Sequence, residues 1–321
     1  MTNFHEPVVL GRTGFKVGRL GIASGYKAPA AAIEEAFERG CNYFTWGTVI
    51  KGYLPGMRDA LRNIAAKGQR DRVVLACFTY AHNNFFTEKM LRRGLESAGL
   101  DRADVLIIGY YSKMPPQRLI DGALKMKERG LIRAVGLSSH SRKLCGALAK
   151  DGPFDVLHFR YNAAHRGAEQ DIFPHLMPTR PRAVVAYTAT SWRRLLKRPR
   201  GWEGEVATAG HCYRFCLSNP AVHVVLTGPK DRAQLLENLA AVEAGPLSPE
   251  EDRWMRAFGA AVHRWLRQRK SHTLNADEEK IVAQAGRLAG APGDIRGVRY
   301  PMRAAGSIQR FSGTAFALKQ T

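Results

Sequence analysis

The chain alternates short apolar segments rich in β-branched residues with segments of helical periodicity, and this alternation restricts its possible folds. The strand candidates lie at residues 19–24, 42–46, 72–80, 105–111, 134–139, 155–162, 183–189 and 223–228. Helical periodicity occurs at residues 30–39, 87–98, 116–129, 142–150 and 232–242. Strands that alternate with helices require crossover connections, and these connections produce a parallel sheet.

The number and spacing of these units favour a closed barrel. Eight strand–helix units over about 240 residues match the size of a (β/α)8 barrel. The apolar run at residues 105–108 fits a strand covered on both faces. A doubly wound fold would need a glycine-rich phosphate-binding turn after its first strand, but Ser24, Gly25 and Tyr26 stand there. No G-x-G-x-x-G sequence opens a helix elsewhere. We therefore predict an α/β fold, a TIM barrel.

Two segments lie outside the eight units. Residues 7–18 predict a β-hairpin with its turn at residues 12–14. From Ser271 onward the periodicity fades into Gly, Ala and Arg, a composition typical of a tail or an irregular wrap. We expect a barrel domain over residues 1–270 and a basic C-terminal extension over residues 271–321.

The charge balance bears on possible partners. The formal net charge is +21, from 49 Lys and Arg against 28 Asp and Glu. Such an excess raises nucleic acid or an anionic membrane as a partner. The positive residues are dispersed, however, and no zinc finger, RNP-type sequence or basic zipper accompanies them. We expect a small-molecule ligand, and we do not expect nucleic-acid binding as the main role.

Compartment and metal content are indicated by what the sequence lacks. No stretch approaches about 20 consecutive apolar residues, so we expect no membrane span. The first residues lack the basic lead and apolar run of a secretory signal. The five cysteines are scattered and form no CxxC pair, which favours buried free thiols over a metal site. We expect a cytoplasmic protein; the sequence does not indicate its oligomeric state.

Several stretches, in order along the chain, resemble the aldo-keto reductases. They are LGRTGFKV at residues 10–17, AFERGCNYF at 36–44, GLIRAVGLS at 130–138, YN at 161–162, AY at 186–187, NPAV at 219–222 and QLLENL at 234–239. The resemblance covers roughly residues 7–260. It implies a (β/α)8 barrel that reduces carbonyl compounds with NADPH.

The resemblance also implies four catalytic side chains, and this chain departs from all of them. The family uses an Asp, a Tyr that donates a proton, a Lys that lowers the pKa of the Tyr, and a His. The matching positions hold Thr45, Ile50 (or Lys51, if one residue is inserted), Phe78 and Gly109. Proton delivery in the manner of the family is therefore not expected.

Relocated groups near the carboxyl ends of the strands are candidates to replace the missing ones, because barrel active sites are built at that end. The candidate catalytic residues are Tyr53 with Lys51, Tyr110, and His140. The alternative is that Tyr53 packs within its loop, that Tyr110 and Tyr111 fill the mouth of the barrel, and that His140 is a hydrogen-bonded loop residue.

The cofactor-binding positions are better kept. By the resemblance, Tyr187 would stack on the nicotinamide ring. The other implied contacts are Ser138, Ser139 and His158 to the carboxamide, Thr188, Ser191 and Arg193 to the pyrophosphate, Lys230 to a 2′-phosphate, and Glu237 and Asn238 to the adenine end. We predict NADP(H) as the cofactor; because the adenine and carboxamide contacts are weakened relative to the family, the alternative ligand is another nucleotide or a phosphorylated compound. The alternative is that Tyr187 is a core aromatic residue and that Glu237 and Asn238 form an ordinary exposed helix face.

Three functions remain open at this point. The first is an atypical oxidoreductase that acts on a carbonyl-type small molecule with relocated catalytic groups. The second is a pseudoenzyme that binds a nucleotide or a protein partner without hydride transfer. The third is a barrel recruited for non-redox chemistry through His140, His158 or the Tyr110 and Tyr111 pair. The sequence does not identify the substrate.

Overall fold

The structure is a computed structural model and describes residues 4–47, 54–179 and 181–270. Within these residues, eight parallel strands close into a barrel surrounded by helices, which confirms the predicted TIM barrel. Each strand pairs with the next along the chain, and the last pairs with the first. In chain order the barrel strands are β3 (Leu20–Ala23), β4 (Tyr43–Trp46), β5 (Val74–Thr79), β6 (Ala103–Gly109), β7 (Ile132–Ser139), β8 (Val156–Arg160), β9 (Ala183–Tyr187) and β10 (Val224–Thr227).

The helices of the described residues lie outside this barrel. They are α1 (Ala30–Glu38), α2 (Pro55–Ala66), α3 (Asn84–Ser97), α4 (Gln117–Glu128), α5 (Arg142–Lys150), α6 (Ala168–Asp171), α7 (Ala209–Ser218), α8 (Arg232–Glu243) and α9 (Pro249–Lys270). The third helix begins three residues before the predicted start at Thr87. The reason is Asn83, whose side chain accepts hydrogen bonds from the backbone N–H groups of Phe85 and Phe86 and so caps the helix.

The interior of the barrel is filled by alternate residues of the strands. Successive side chains of a strand point to opposite faces, so every second residue faces inward. The inward cluster is small and β-branched, and its strand members include Val74, Ala76, Val105, Ile107, Ala134, Val156, Ala183, Val185 and Val224. The other faces of the strands pack against the helices in a larger cluster. The same alternation of inward and outward side chains, here called the parity of a strand, determines which residues face inward at the two ends of the barrel.

The amino-terminal end of the barrel is closed by the predicted hairpin. Strands β1 (Val8–Val9) and β2 (Lys16–Val17) pair in antiparallel fashion around a turn that contains Arg12. The buried side chains of Leu10 and Phe15 belong to the interior cluster. The hairpin is therefore the floor of the barrel.

Polar groups at this end find partners. Asp104 is 1% exposed, and its Oδ2 accepts a hydrogen bond from Leu75 N at 2.8 Å. Two guanidinium groups flank this carboxylate, with Arg70 Nη2 at 3.0 Å and Arg133 Nη1 at 3.1 Å. In the same way, Arg12 Nε donates to Asp155 Oδ1 at 2.8 Å. A buried carboxylate persists when it is paired and hydrogen-bonded in this way.

All five cysteines of the chain lie in described residues, and all five are buried. Each thiol has a raised pKa because burial disfavours the charged thiolate; the residues are Cys41, Cys77, Cys145, Cys212 and Cys216. The thiolate is the reactive form of cysteine, so these residues act as small core side chains. In the part of the chain that the structure describes, no helix is long and apolar enough to cross a membrane.

Candidate active site at the carboxyl ends of the strands

The mouth of the barrel is the region around the carboxyl ends of its strands. By the parity of the strands, its inward-facing residues are Thr45, Phe78, Gly109, Ser138, His158, Arg160 and Tyr187. The register places Gly109 beside Ser138, Ser138 beside His158, and Arg160 beside Tyr187. None of these inward residues carries a carboxylate, so the mouth is aromatic, polar and basic.

Three of the four positions at which the resemblance implies catalytic residues are described. Thr45 is buried, and the ring of Phe78 packs edge-on against His158, with 5.4 Å between centroids. At Gly109 a Cβ would lie 2.4 Å from the ring of Tyr80, so that ring occupies the space of a side chain at this position. The fourth position, and with it the candidate pair Lys51 and Tyr53, lies outside the described residues.

A row of aromatic rings takes up the mouth. Tyr80 stacks on Tyr110 with 5.1 Å between ring centroids, and Tyr110 stacks on His140 at 5.4 Å with planes 14° apart. His140 in turn meets Tyr187 edge-on at 5.4 Å. The structure therefore brings together two predicted catalytic residues, Tyr110 and His140, and places them beside the predicted nicotinamide-stacking residue.

The protonation of these tyrosines follows from their burial. Burial raises the pKa of Tyr110, and a hydrogen bond from Tyr80 opposes this shift in part. Burial raises the pKa of Tyr187 well above its ordinary value, although the charge of Arg160 opposes it. Both phenols are therefore protonated at neutral pH, so each has a proton to donate, although a raised pKa makes a phenol a weaker acid.

Four predicted cofactor residues hold buried polar atoms without a hydrogen-bond partner. In the described residues, six such side-chain atoms occur, and four of them are Ser138 Oγ, His158 Nδ1, Thr188 Oγ1 and Ser191 Oγ. The other two are the Nε atoms of Arg19 and Arg70. In each of these arginines, Nη2 donates a hydrogen bond to a backbone carbonyl oxygen. The hydroxyl of Tyr187 neighbours Ser138 Oγ but is directed at the Ser139 carbonyl oxygen.

An unpaired buried polar group costs about 1–3 kcal/mol, and folded proteins contain few of them. Two of these four atoms belong to neighbouring strands β7 and β8, and the other two belong to the loop after β9. Hydroxyl and imidazole groups can hydrogen-bond to the polar atoms of a nucleotide.

His158 is held from within the barrel by a residue that the sequence analysis did not name. The hydroxyl of Tyr43 lies 2.7 Å from His158 Nε2. Burial lowers the pKa of His158 to about 3, so the imidazole is neutral at physiological pH. The alternating pattern of β4 places Tyr43 inward, but the sequence contains no signal for a contact across the barrel.

Backbone strain is concentrated at the mouth. The non-glycine residues with positive φ in the described ranges are Lys27, Tyr110, Thr188, Ser191, Trp192 and Arg193. All six lie in loops that follow β3, β6 or β9. Such conformations cost about 1 kcal/mol or more for each residue and tend to occur at functional sites. The loop after β9 contains four of them, together with three of the predicted pyrophosphate contacts.

The remaining predicted cofactor residues lie at the edges of this region. Ser139 Oγ donates to the carbonyl of Tyr111 at 2.5 Å, so its hydroxyl already holds a neighbouring loop. Buried Asn238 donates from Nδ2 to Thr227 Oγ1 at 2.9 Å. Lys230 and Glu237 are exposed, and Lys230 Nζ lies 3.7 Å from Asp231. The adenine end therefore offers fewer unpaired groups than the carboxamide and pyrophosphate ends.

Comparison of the fold with solved structures finds aldo-keto reductases as structural neighbours. The aldo-keto reductase AKR11C1 from Bacillus halodurans is 20% identical in its holo form, with a TM-score of 0.65 over 79% of this chain and 96% of that one. The apo form gives 21% identity, a TM-score of 0.64, and coverage of 79% and 95%. An aldo/keto reductase from Klebsiella pneumoniae, in complex with NADP and acetate, is 19% identical. It has a TM-score of 0.61 over 79% of this chain and 96% of that one.

These neighbours establish the fold of the chain. No protein-family model matches the sequence, and no curated protein matches it. The described barrel and its structural neighbours thus agree with the resemblance seen in the sequence.

Proposed function

We propose that this protein is an oxidoreductase that binds NADP(H) at the mouth of the barrel and acts on a carbonyl-type small molecule. The observation that carries the proposal is the set of four unpaired buried polar atoms at Ser138, His158, Thr188 and Ser191. A structural neighbour that binds NADP supports the same choice of cofactor. The substrate would lie against the aromatic row, next to Tyr187.

The acid–base groups in this proposal are Tyr110 and His140. Bound NADPH would supply a hydride to the carbonyl carbon. The Tyr110 hydroxyl donates its proton to the carbonyl oxygen, which becomes the hydroxyl of the alcohol product. Tyr80 hydrogen-bonds to the phenolate left behind, and His140, which is exposed, returns a proton to it from water. Arg160 acts electrostatically on Tyr187 in the same row, and its positive charge would favour negative charge that develops beside Tyr187.

A second candidate function is a ligand-binding pseudoenzyme. The observation that favours it is the raised pKa of Tyr110, since a phenol that resists ionisation is a weak general acid. In this reading the mouth binds the nucleotide, and the aromatic row closes the space that a substrate would need.

Titration of the protein with NADPH, followed by nucleotide fluorescence, tests cofactor binding. Saturable binding in the micromolar range is expected for the wild type. Ser191→Ala and Ser138→Ala should each weaken binding about tenfold because each loses one hydrogen bond to the ligand. Neither variant should lose stability in urea, because each removes a hydroxyl that has no hydrogen-bond partner among the described residues.

Thr87→Val is the matched control for these variants. Thr87 is a buried hydroxyl residue whose Oγ1 is hydrogen-bonded to Thr79 Oγ1 at 3.1 Å, on the outward side of β5. Its replacement should lower stability and leave NADPH binding unchanged. Absence of NADPH binding by the wild type at high micromolar concentrations would contradict the proposed function.

Turnover distinguishes the two candidate functions. With a panel of aldehydes and quinones, the enzyme should oxidise NADPH, and Tyr110→Phe should lower kcat about 100-fold with little change in NADPH affinity. Tight binding with no oxidation across the panel would favour the pseudoenzyme. An unchanged kcat in Tyr110→Phe would remove Tyr110 as the proton donor.

A further inference from the structure

Tyr43 and His158 form an isolated polar pair inside the barrel. Both side chains are 0% exposed, and their ring centroids are 5.9 Å apart. The hydrogen bond between Tyr43 Oη and His158 Nε2, at 2.7 Å, is the side-chain polar contact of each residue. The second ring nitrogen, Nδ1, has no partner in the described residues.

The count of unsatisfied groups identifies the tautomer of His158. If Tyr43 donates to Nε2, the imidazole proton lies on Nδ1, and one buried group, Nδ1–H, lacks a partner. If Nε2–H donates instead, both the Tyr43 hydroxyl hydrogen and the Nδ1 lone pair lack partners. Each unsatisfied buried group costs about 1–3 kcal/mol before any ligand binds, so the first arrangement is favoured.

Arrangements with a charged His158 ring or a charged Tyr43 phenolate are excluded by the pKa values of the two groups. Burial lowers the pKa of His158 to about 3, so the doubly protonated ring is absent at neutral pH. Burial also raises the pKa of Tyr43 well above its ordinary value, so the hydroxyl keeps its proton. The hydroxyl therefore has a proton to donate, and its one acceptor is His158 Nε2.

The donor at His158 stands beside a second unpaired group. Ser138 and His158 are register partners on neighbouring strands, and Ser138 Oγ is also buried without a partner. A hydroxyl oxygen can accept a hydrogen bond, whereas an Nδ1–H group can only donate one. One donor next to one acceptor complements a primary carboxamide, whose carbonyl oxygen accepts and whose amino group donates.

We propose that Tyr43 is a positioning residue: its hydroxyl fixes His158 as the Nδ1–H tautomer, which binds the carbonyl oxygen of a ligand carboxamide while Ser138 accepts from its amino group. The proposal rests on the proposed function for the identity of the ligand, because nicotinamide carries such a carboxamide. The tautomer itself is a property of the protein without ligand.

Nitrogen NMR of the ligand-free protein tests the tautomer. In protein labelled with ¹⁵N-histidine, His158 should show a proton bonded to Nδ1 and a bare Nε2, with the resonances assigned by their loss in His158→Gln. In Tyr43→Phe the two tautomers should mix or the proton should move to Nε2. A wild-type spectrum with the proton on Nε2 would overturn the proposal, whatever the protein binds.

Nucleotide analogues test the role of the donor and acceptor. Tyr43→Phe should weaken NADPH binding about tenfold, while Tyr161→Phe, which removes an equally buried hydroxyl bonded to Glu169 at 2.7 Å, should leave it unchanged. The 3-acetylpyridine analogue keeps the carbonyl oxygen and lacks the amino group. Ser138→Ala should therefore abolish the preference of the wild type for NADPH over this analogue, and Tyr43→Phe should retain it.

The two experiments separate the two proposals. The wild-type protein could show the Nδ1–H tautomer of His158 and yet bind no NADPH. This result would contradict the proposed function and would support the role of Tyr43 in fixing the ring. Binding of NADPH that is equally strong in Tyr43→Phe, in a variant shown to be folded by circular dichroism, contradicts the positioning role and leaves the proposed function in place.

Discussion

The two ends of the barrel differ in how completely their polar side chains are satisfied, although Arg19 Nε and Arg70 Nε at the amino-terminal end also lack a partner in the described residues. At the amino-terminal end, Asp104 accepts a backbone hydrogen bond and contacts two guanidinium groups, and Asp155 is bonded to Arg12. At the carboxyl-terminal end, four predicted ligand contacts are buried without a partner. The backbone differs as well, because every described non-glycine residue with positive φ lies in a loop at the carboxyl-terminal end.

The difference indicates that the amino-terminal end contributes more to stability, and the proposed function assigns binding to the carboxyl-terminal end. Completed hydrogen bonds at the floor contribute to the free energy of unfolding in the protein alone. Unpaired groups at the mouth lower that free energy, and under the proposed function a bound ligand would complete them. Substitutions at the floor should therefore change stability and not ligand affinity, and substitutions at the mouth should do the reverse.

The largest effect is expected at Gly11 in the floor hairpin. Its φ is +50°, and an added Cβ would lie 2.4 Å from the backbone nitrogen of Ala183. Gly11→Ala should lower the free energy of unfolding by more than about 3 kcal/mol because the hairpin must move off the barrel. The measurement is urea unfolding. Gly14→Ala is the control: it has positive φ but open space, and should cost only about 1 kcal/mol.

The next effect is expected at the buried carboxylate of the floor. Asp104→Asn should lower the free energy of unfolding by about 3 kcal/mol, since Arg70 and Arg133 lose their charged partner. NADPH affinity of the folded variant should stay within twofold of the wild type. Asp71→Asn, which breaks an exposed pair with Arg102, should change stability little. A large loss of affinity in Asp104→Asn would break the division between the two ends.

A histidine at each end makes stability depend on pH. The pKa of His158 at the mouth is lowered to about 3 by burial, and that of His223 at the floor to about 4 by burial and by Arg19. Both pKa values lie below the value of about 6.5 for histidine in the unfolded chain. The stabilisation from each neutral histidine is therefore complete above pH 6.5 and is lost as the pH falls toward the folded pKa. As the pH falls from 7 to 5, each histidine should lower the free energy of unfolding by about 2 kcal/mol.

Urea unfolding across this pH range measures the two contributions. His158→Gln and His223→Gln should each reduce the slope by the contribution of one histidine; His82 and His211, whose pKa values are also lowered, account for part of the remainder. If the proposed function holds, saturating NADPH should protect the wild type, because the ligand would bond to the neutral ring of His158. A slope that neither substitution reduces would contradict the assignment.

The smallest effect concerns strain at the mouth. Arg193 has φ of +65°, in a run of three consecutive left-handed residues. Arg193→Gly should raise the free energy of unfolding by up to about 1 kcal/mol, because glycine adopts this conformation without steric cost. Lys197→Gly, at φ of −128°, should instead lower it slightly. If both variants lose stability equally, the loop is not strained.

The fold was predictable because the spacing of apolar residues along short segments indicates strands and helices directly. Each of the eight predicted strands overlaps a barrel strand, and the hairpin at residues 7–18 is present. The main boundary difference, the earlier start of α3, came from a cap at Asn83 rather than from periodicity. The likeness to aldo-keto reductase structures confirms the resemblance that sequence stretches had indicated.

The candidate site was predictable only in part. The resemblance pointed to Ser138, His158, Thr188 and Ser191, but not to the fact that their polar atoms are unpaired. It did not point to Tyr43, because a contact between β4 and β8 depends on how strands meet across the closed barrel. The catalytic roles of Tyr110 and His140 stay predictions, as do those of Lys51 and Tyr53, which lie outside the described residues.

The burial of all five cysteines has a practical consequence for observing the mouth. Thiols that are enclosed and hard to ionise react slowly with maleimides in the folded protein. A cysteine placed at Trp192, which is 46% exposed on the loop after β9, would therefore take up a fluorescent dye with little background from the native thiols. Such a labelled protein would report loop movement during ligand exchange in real time, without any need to remove the native cysteines first.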